Sequence, residues 1–318
     1  MKKIVIIGAY GCKNLGDEAI LSGLLKTLKK NDIVVFSSNP EETQKLHNVK
    51  SEYENLKRVI LWSDEIIIGG GELFQNHMAK KFCRLIILAK FFRKKIKVLG
   101  VGVDLNKIFI KFFTKLALKI ADEISVRDKR SLQNLIKLGI KTEKIKLTKD
   151  FAFNLTFSEP TKKIKNFYNK VIKKNAYLIL VLRPVNRETD EVIISFFTKF
   201  IKYLIKKKKI KIILFPFSKH PFSPQDNDLT ILRKIKTNLG NEKIILFDQD
   251  ITPTDALWII SKAEQVISMR LHPLIFSKIT QTKAVAISSF AKVKSFAEEH
   301  HIPFIEIQNL PKLYNFLS

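Results

Sequence analysis

Cysteine is nearly missing from this 318-residue chain; the two present, Cys12 and Cys83, lie far apart and show no CxxC spacing. Neither a disulfide framework nor a four-ligand zinc site can be built from them. Long hydrophobic runs are missing as well. No apolar stretch reaches the roughly 18 uncharged residues that a membrane-spanning helix needs. Acidic residues are few, 30 against 57 basic ones, which leaves a net charge of +27. Arginine is scarce among the basic residues, with only nine in the chain. Proline is sparse at first and then common: one precedes residue 160 and nine follow, counting Pro160.

What is present is an ordinary globular composition, 46% apolar with a mean hydropathy near zero, which excludes a disordered chain. The length suits two domains. The lysines are scattered through every segment, as on solvated faces, although such a surplus also suits nucleic acid or anionic lipid. The rare arginines are more informative. Arg127, Arg130, Arg183, Arg187 and Arg270 fall at the ends of expected elements or in candidate loops. The opening MKKIVIIGAYGC has the outline of a leader, but its apolar run is short. It reads better as a buried first strand of a cytoplasmic protein.

The pattern along the chain is strand, glycine turn, helix, repeated. KIVIIG (3–8), DIVVFSS (32–38), DEIIIGGGELF (64–74), KIKVLGVGV (95–103) and DEISVRDKRS (122–131) supply strands with helical patterns between them. Continuous β-branched strands alternating with helices predict a parallel sheet covered on both faces. Eight of the eleven glycines sit where the first, third and fourth strands end, the edge at which open α/β sheets bind ligands. NLTFSEPTKK (154–163) reads as a linker where proline use changes. A second α/β set follows: AYLILVLRP (176–184), KIKIILFPFS (209–218), KIILFD (243–248), EQVISMR (264–270) and AVAISS (284–289). The expected fold class is therefore α/β, two Rossmann-like domains facing across a cleft, spanning residues 1–160 and 161–318.

Several stretches carry candidate chemistry. GAYGCKNLGDEAIL (8–21) is a glycine loop entering a helix, a natural anion site, yet it is neither GxGxxG nor GxxxxGK[ST]. Gly11 and Gly16 either form part of that anion site or serve a tight turn. Asp17 is expected either to cap the helix or to serve as an acid/base group. GGGELF (69–74) offers Gly70, Gly71 and Glu72 to a close ligand. SVRDKRS (125–131) starts a helix with Arg127 beside Asp128, either a ligand contact or a capped local ion pair. VLRPV (181–185) and SMRLHP (268–273) each place an arginine, Arg183 and Arg270, at a strand's end, the second with His272 two residues on. A buried charge needs a partner, so something negative is expected opposite Arg270, a ligand rather than the alternative of an interdomain salt bridge with a satisfied histidine. Two strand-end arginines and a titratable histidine suit a small, doubly anionic molecule. DQD (248–250) matches a metal–nucleotide motif of some glycosyltransferases, but three residues match by chance, and no metal is assigned to it.

Taken in order, GAYGCKNLGDEAIL, GGGELF, VGV, ISVRDKRS, KDFAF, VLRP, SMRLHPLIF and AVAISSFAKVKSF resemble the polysaccharide pyruvyl transferase family, from about residue 4 to 305. The resemblance implies a glycosyltransferase-B-like fold and transfer of pyruvate from phosphoenolpyruvate to a sugar as a ketal, releasing phosphate. Phosphoenolpyruvate is then the co-substrate and no further cofactor is expected. His272 and Asp17 would be catalytic. Arg270, Arg183, Gly11, Gly16, Gly70, Gly71, Glu72 and Arg127 would bind substrate, with the donor on the second domain and the acceptor on the first. The first loop, with Tyr10-Gly11-Cys12-Lys13, and FPFSKHPFSPQDN depart from the family's usual pattern, which leaves the acceptor sugar open. The acceptor would be a cell-envelope glycan or its lipid-linked precursor.

Two other readings compete. One is a nucleotide-sugar glycosyltransferase on the same fold. The other is a basic nucleic-acid-binding protein, disfavoured because basic patches interleaved with surface aromatics are not evident. MAKKFCRLIILAKFFRKKIK (78–97) and KIFIKFFTKLALKI (107–120) are basic and strongly apolar, as interfacial helices are. They leave open a peripheral contact with the inner face of the membrane. Helices covering a parallel sheet have the same look.

Overall fold

The computed structural model describes all residues except 173–175, 209, 241 and 317–318. Its chain divides into two compact domains. The first comprises Met1–Cys12 and Asp17–Leu155, the second Lys13–Gly16 and Thr156–Ser318. Lys13–Gly16 were expected in the first domain and are counted with the second, which nothing in their composition signals.

The first domain is a seven-stranded sheet: β1 (Lys3–Ile7), β2 (Asp32–Phe36), β3 (Lys50–Glu52), β4 (Glu65–Gln75), β5 (Lys95–Asp104), β6 (Glu123–Val126) and β7 (Ile145–Leu147). All pair in parallel in the order β3-β2-β1-β4-β5-β6-β7. Ile6, Ile66, Ile67 and Ile68 are fully buried, because helices cover both faces and every side chain of a central strand must be apolar. Those helices are α1 (Leu15–Thr27), α2 (Pro40–His47), α3 (Leu56–Trp62), α4 (Ala79–Phe91), α5 (Ile108–Lys119) and α6 (Lys129–Lys137). The strand expected to end at its three glycines instead runs through them to Gln75. Its register against β5 shifts between Gly71 and Phe74. Gly70 and Gly71 take φ of +66° and +76°, which lets the chain bulge and rejoin the ladder. Asp17 lies in the first turn of α1, not at its cap.

The second domain has a six-stranded parallel sheet in the order β10-β9-β8-β11-β12-β13. Its strands are β8 (Tyr177–Val181), β9 (Lys211–Leu214), β10 (Ile244–Leu246), β11 (Gln265–Ser268), β12 (Lys283–Ile287) and β13 (Phe304–Ile305). Lys209, first residue of the strand expected at 209–218, lies outside the described residues. The principal helices are α7 (Lys162–Phe167), α8 (Arg187–Lys207), α9 (Leu229–Leu239), α10 (Pro253–Ser261), α11 (Leu271–Thr280) and α12 (Ala291–Glu299). Helix α8 is capped by Asn186, which accepts from Thr189 N at 2.9 Å, and buries Ile193, Phe197, Phe200, Ile201 and Leu204 on one stripe. Strand order reverses beside β1 in the first sheet and beside β8 in the second. At each reversal, adjacent crossovers leave in opposite directions and open a crevice at the carboxyl edge.

Candidate functional site

Each domain gathers expected site residues at its own reversal point. In the first, the loop after β1 is locked by Tyr10, whose phenol is buried and donates to Gly69 O. Burial pushes that phenol well above the usual tyrosine value, and the charges of Asp17, Glu18 and Asp150 add to the shift. Gly11 takes φ +78° and donates its N–H to Glu18 Oε1 at 2.8 Å. A Cβ at Gly11 would fall 2.2 Å from Ser37 Oγ, so this glycine is required by backbone packing. Glu18 also meets His47 Nε2 at 2.7 Å, with both side chains nearly buried, while His47 Nδ1 lies 3.2 Å from Ser22 Oγ. Nothing in the sequence signals this pair, because its two members sit on different helices.

The glycine triplet has divided duties. A Cβ on Gly70 would lie 1.9 Å from Ile20 Cγ2, so Gly70 lets α1 pack on the sheet. A Cβ on Gly71 would lie 3.2 Å from Asp17 Oδ1, so Gly71 leaves room for the Asp17 carboxylate. Further along the edge, the same test on Gly102 reaches Arg127 Nη2 at 3.3 Å and Glu72 Cγ at 3.4 Å. Arg127 Nη1 donates to Asp150 Oδ2 at 2.9 Å, and both side chains are almost fully buried. Burial acts against the Arg127 charge, but Asp150, Glu72 and Asp128 outweigh it and raise its pKa. The first domain thus brings Asp17, Gly71, Glu72 and Arg127 to one edge. It also supplies Asp150, which the sequence offered only within KDFAF.

In the second domain Arg183 leaves β8 and Arg270 leaves β11, adjacent strands at the reversal. The negative group opposite Arg270 is the protein's own Asp228. Arg270 Nε donates to its two oxygens at 2.9 and 2.9 Å, and Nη2 to Oδ1 at 2.7 Å. Asp228 is fully buried and also accepts the N–H groups of Phe217 (2.9 Å) and Ser218 (3.0 Å). Arg270 Nη2 reaches Asp226 O at 3.3 Å, and Arg183 Nη2 reaches Asp226 Oδ1 at 3.2 Å. Both arginines are therefore seated on the segment Asp226–Asp228. The Arg183 guanidinium lies 4.7 Å above the Phe290 ring, a cation–π contact that flattens it in place.

His272 stands in the first turn of α11, two residues after Arg270 at the cap position. Against it lies Gly16, where a Cβ would fall 2.1 Å from His272 Nδ1. Gly16 is held there by short backbone pairing: Leu15 N donates to Phe217 O and Lys219 N to Lys13 O, both at 2.9 Å. Nearby, Asp250 binds Lys219 and Lys13, and Asp248 binds Arg233 at 2.8 Å. Among the described residues no group of three or more His, Cys, Asp or Glu side chains is placed to hold a metal ion. Chemically, the second domain offers fixed positive charge, an imidazole and a helix N-terminus, an arrangement suited to an anion. The first offers carboxylates around backbone without Cβ atoms.

The profile of the polysaccharide pyruvyl transferase family matches residues 14–289. No curated protein sequence matches the chain. Similar solved structures include UDP-GlcNAc 2-epimerase from Methanocaldococcus jannaschii, with a TM-score of 0.68 at 14% identity over 99% of this chain and 92% of that one. The S. aureus MnaA–UDP co-structure gives 0.68 at 12% identity, over 100% and 88% of the two chains. Anabaena HepE in complex with UDP-glucose gives 0.67 at 13%, over 99% and 88%. At these identities the likeness carries the fold, two Rossmann-like domains of the glycosyltransferase-B-like class. No helix among the described residues is long and apolar enough to cross a membrane.

Proposed function

Because the chain belongs to the polysaccharide pyruvyl transferase family, we propose that it transfers pyruvate from phosphoenolpyruvate to two hydroxyls of a glycan sugar as a cyclic ketal. The observation that carries this reading is the convergence of Arg183, Arg270 and His272 at the reversal point of the second sheet. Phosphoenolpyruvate brings a carboxylate and a phosphate within a few ångströms of each other. Arg270, its fork committed to Asp228, supplies a fixed positive charge. Arg183, whose partner Asp226 is half exposed, exchanges that carboxylate for a donor anion. These arginines neutralise the donor, and no cofactor beyond the co-substrate is assigned.

The chemistry balances without further reactants. A proton adds to the donor's methylene carbon, which becomes the methyl group, and the adjacent carbon turns cation-like. One sugar hydroxyl attacks that carbon and gives up its proton. The bond to the phosphate oxygen breaks, phosphate departs, and the second hydroxyl closes the ring with loss of its own proton. His272 contacts the phosphate and moves protons, and Asp17 orients or deprotonates the acceptor hydroxyl. Glu72 and Arg127 hold the acceptor and Gly71 leaves room beside Asp17, while Gly11, Gly16 and Gly70, expected to meet substrate, pack instead against Ser37, His272 and Ile20 and set the loops around it, with the acceptor on the first domain and the donor on the second. The acceptor is a cell-surface polysaccharide or its lipid-linked precursor, met in the cytoplasm at the inner face of the membrane.

A second reading has its own support, since structural neighbours of this fold were solved with UDP and with UDP-sugars. Thermal unfolding with phosphoenolpyruvate and with a nucleotide-sugar panel separates the two. A ligand at ten times its Kd adds about 1.4 kcal/mol of stability. The pyruvyl reading expects stabilisation by phosphoenolpyruvate that Arg183→Ala and Arg270→Lys weaken. Stabilisation by a nucleotide-sugar alone would replace it with glycosyl transfer.

A further inference from the structure

Helices α4 and α5 lie side by side, joined by Cys83 Sγ donating to Thr114 Oγ1 at 3.5 Å. Each buries one stripe as a sheet-covering helix should: Phe82, Ile86 and Ala89 on α4, and Ile110, Thr114, Ala117 and Leu118 on α5. A helix in that position needs a polar outer face. These two have an apolar one. Ile108, Phe112 and Leu116 on α5 and Ile120 just after it recur every fourth residue and are exposed, with Phe109 and Phe113 beside them. On α4, Ile87, Leu88 and Phe91 are exposed in the same manner.

Phe91, Phe109 and Phe112 are 79%, 76% and 59% exposed. At about 200 Å² for each aromatic side chain, these three alone leave on the order of 400 Å² in water. That already equals a typical monomer's largest apolar patch, and six further large side chains adjoin it. The charge around it is mainly basic, Asp122 being paired with Lys90 of α4 at 2.6 Å. Lys107, Lys111, Lys115 and Lys119 repeat every fourth residue along α5, and Lys80, Lys81 and Arg84 occupy the first half of α4. Neither helix contains an aspartate or a glutamate.

We infer that the α4–α5 face binds an anionic lipid surface. Apolar rings enter the acyl boundary while the lysines meet acidic head groups, the division of labour of interfacial helices. Charge complementarity selects this occupant over a second copy of the chain. A two-fold interface would set this predominantly basic face against itself, and like charges in contact are repulsive. The inference deepens the lipid-linked acceptor proposed above, and it rests on that reading for its purpose but not for its geometry.

The test is flotation of the full chain with vesicles of phosphatidylcholine alone, or of phosphatidylcholine with phosphatidylglycerol. The chain should float with the anionic vesicles and be released by salt. Phe109→Glu/Phe112→Glu should float about tenfold less or worse while unfolding at the wild-type temperature. The single variant Phe112→Trp should shift its emission to the blue on anionic vesicles only. Absence of flotation, or flotation that the double variant leaves unchanged, would overturn the inference. So would a lipid-free dimer, seen by light scattering, that the double variant dissociates; the face would then be a self-interface. Phosphoenolpyruvate stabilisation is read on the same variants. Lost vesicle binding with that stabilisation intact concerns the α4–α5 face, and the reverse concerns the donor.

Discussion

Gly16 lies against the imidazole of His272, so close that a Cβ on residue 16 would stand 2.1 Å from Nδ1. Cγ and Cε1 of the ring lie 2.6 and 2.7 Å from the same point, so a methyl group there requires the ring or the backbone to shift. Gly16 is in turn fixed by its own N–H, donated to Asn14 Oδ1 at 3.0 Å.

Gly16→Ala should therefore displace His272 and destabilise the second domain by about 1–3 kcal/mol, the usual cost of overpacking. Adding His272→Ala removes the atom that clashes. The double variant should be more stable than the sum of the two single effects, and a double-mutant cycle from denaturant unfolding measures the difference. Strict additivity would show that the two residues are not in contact.

The Arg270–Asp228 pair makes a second prediction. Asp228 is fully buried and holds two backbone N–H groups as well as the guanidinium fork, so Asp228→Ala strands a positive charge and two donors. The expected loss is about 3–5 kcal/mol. Removing the exposed Arg187–Glu191 pair should change stability by less than about 0.5 kcal/mol. Comparable losses at the two sites would mean that the buried fork contributes little.

Alkaline pH gives a third. Tyr10 and Tyr177 are both buried, and both phenols are pushed above the ordinary tyrosine value, Tyr10 by burial and by Asp17, Glu18 and Asp150, Tyr177 by burial and by Tyr168. Below about pH 10 the folded and unfolded chains hold these protons equally. Above it the unfolded chain ionises first, so stability falls as pH rises. Tyrosinate absorbance should stay at least two tyrosines short of six until the chain unfolds. Tyr10→Phe should remove one silent tyrosine and soften the alkaline loss. Full ionisation of a still-folded protein would contradict the burial of both.

Much of the fold was legible in the sequence. KIVII, EIII and YLILV are continuous apolar, β-branched runs, and only a strand buried on both faces needs that composition. The strands β3, β7 and β13 were not legible, because KSE, IKL and FI are too short for any period and sit at or near sheet edges. The glycine triplet was legible as a special place but not as a bulge, since sequence cannot separate a strand that stops from one that kinks and resumes. The second face of α5 was visible as apolar residues among lysines. Whether it pointed into the sheet or away from it depended on where the helix was laid down.

The candidate site was legible as a set of residue types. Arg183, Arg270 and His272 declared themselves because arginine is rare here and because they follow apolar strands directly. Asp226 and Asp228 did not declare themselves, since FSPQDND looks like any polar loop. What the sequence determined by itself is the alternation of strand and helix, and with it two parallel sheets whose carboxyl edges carry the glycines and arginines. What the tertiary structure alone decided is who faces whom. Arg270 meets Asp228, 42 residues earlier in the chain, and Gly16 meets His272. Asp228 lies beyond β9 and Arg270 beyond β11, strands that β8 separates in the sheet, and pair geometry at such separations leaves no periodicity for a single sequence to display.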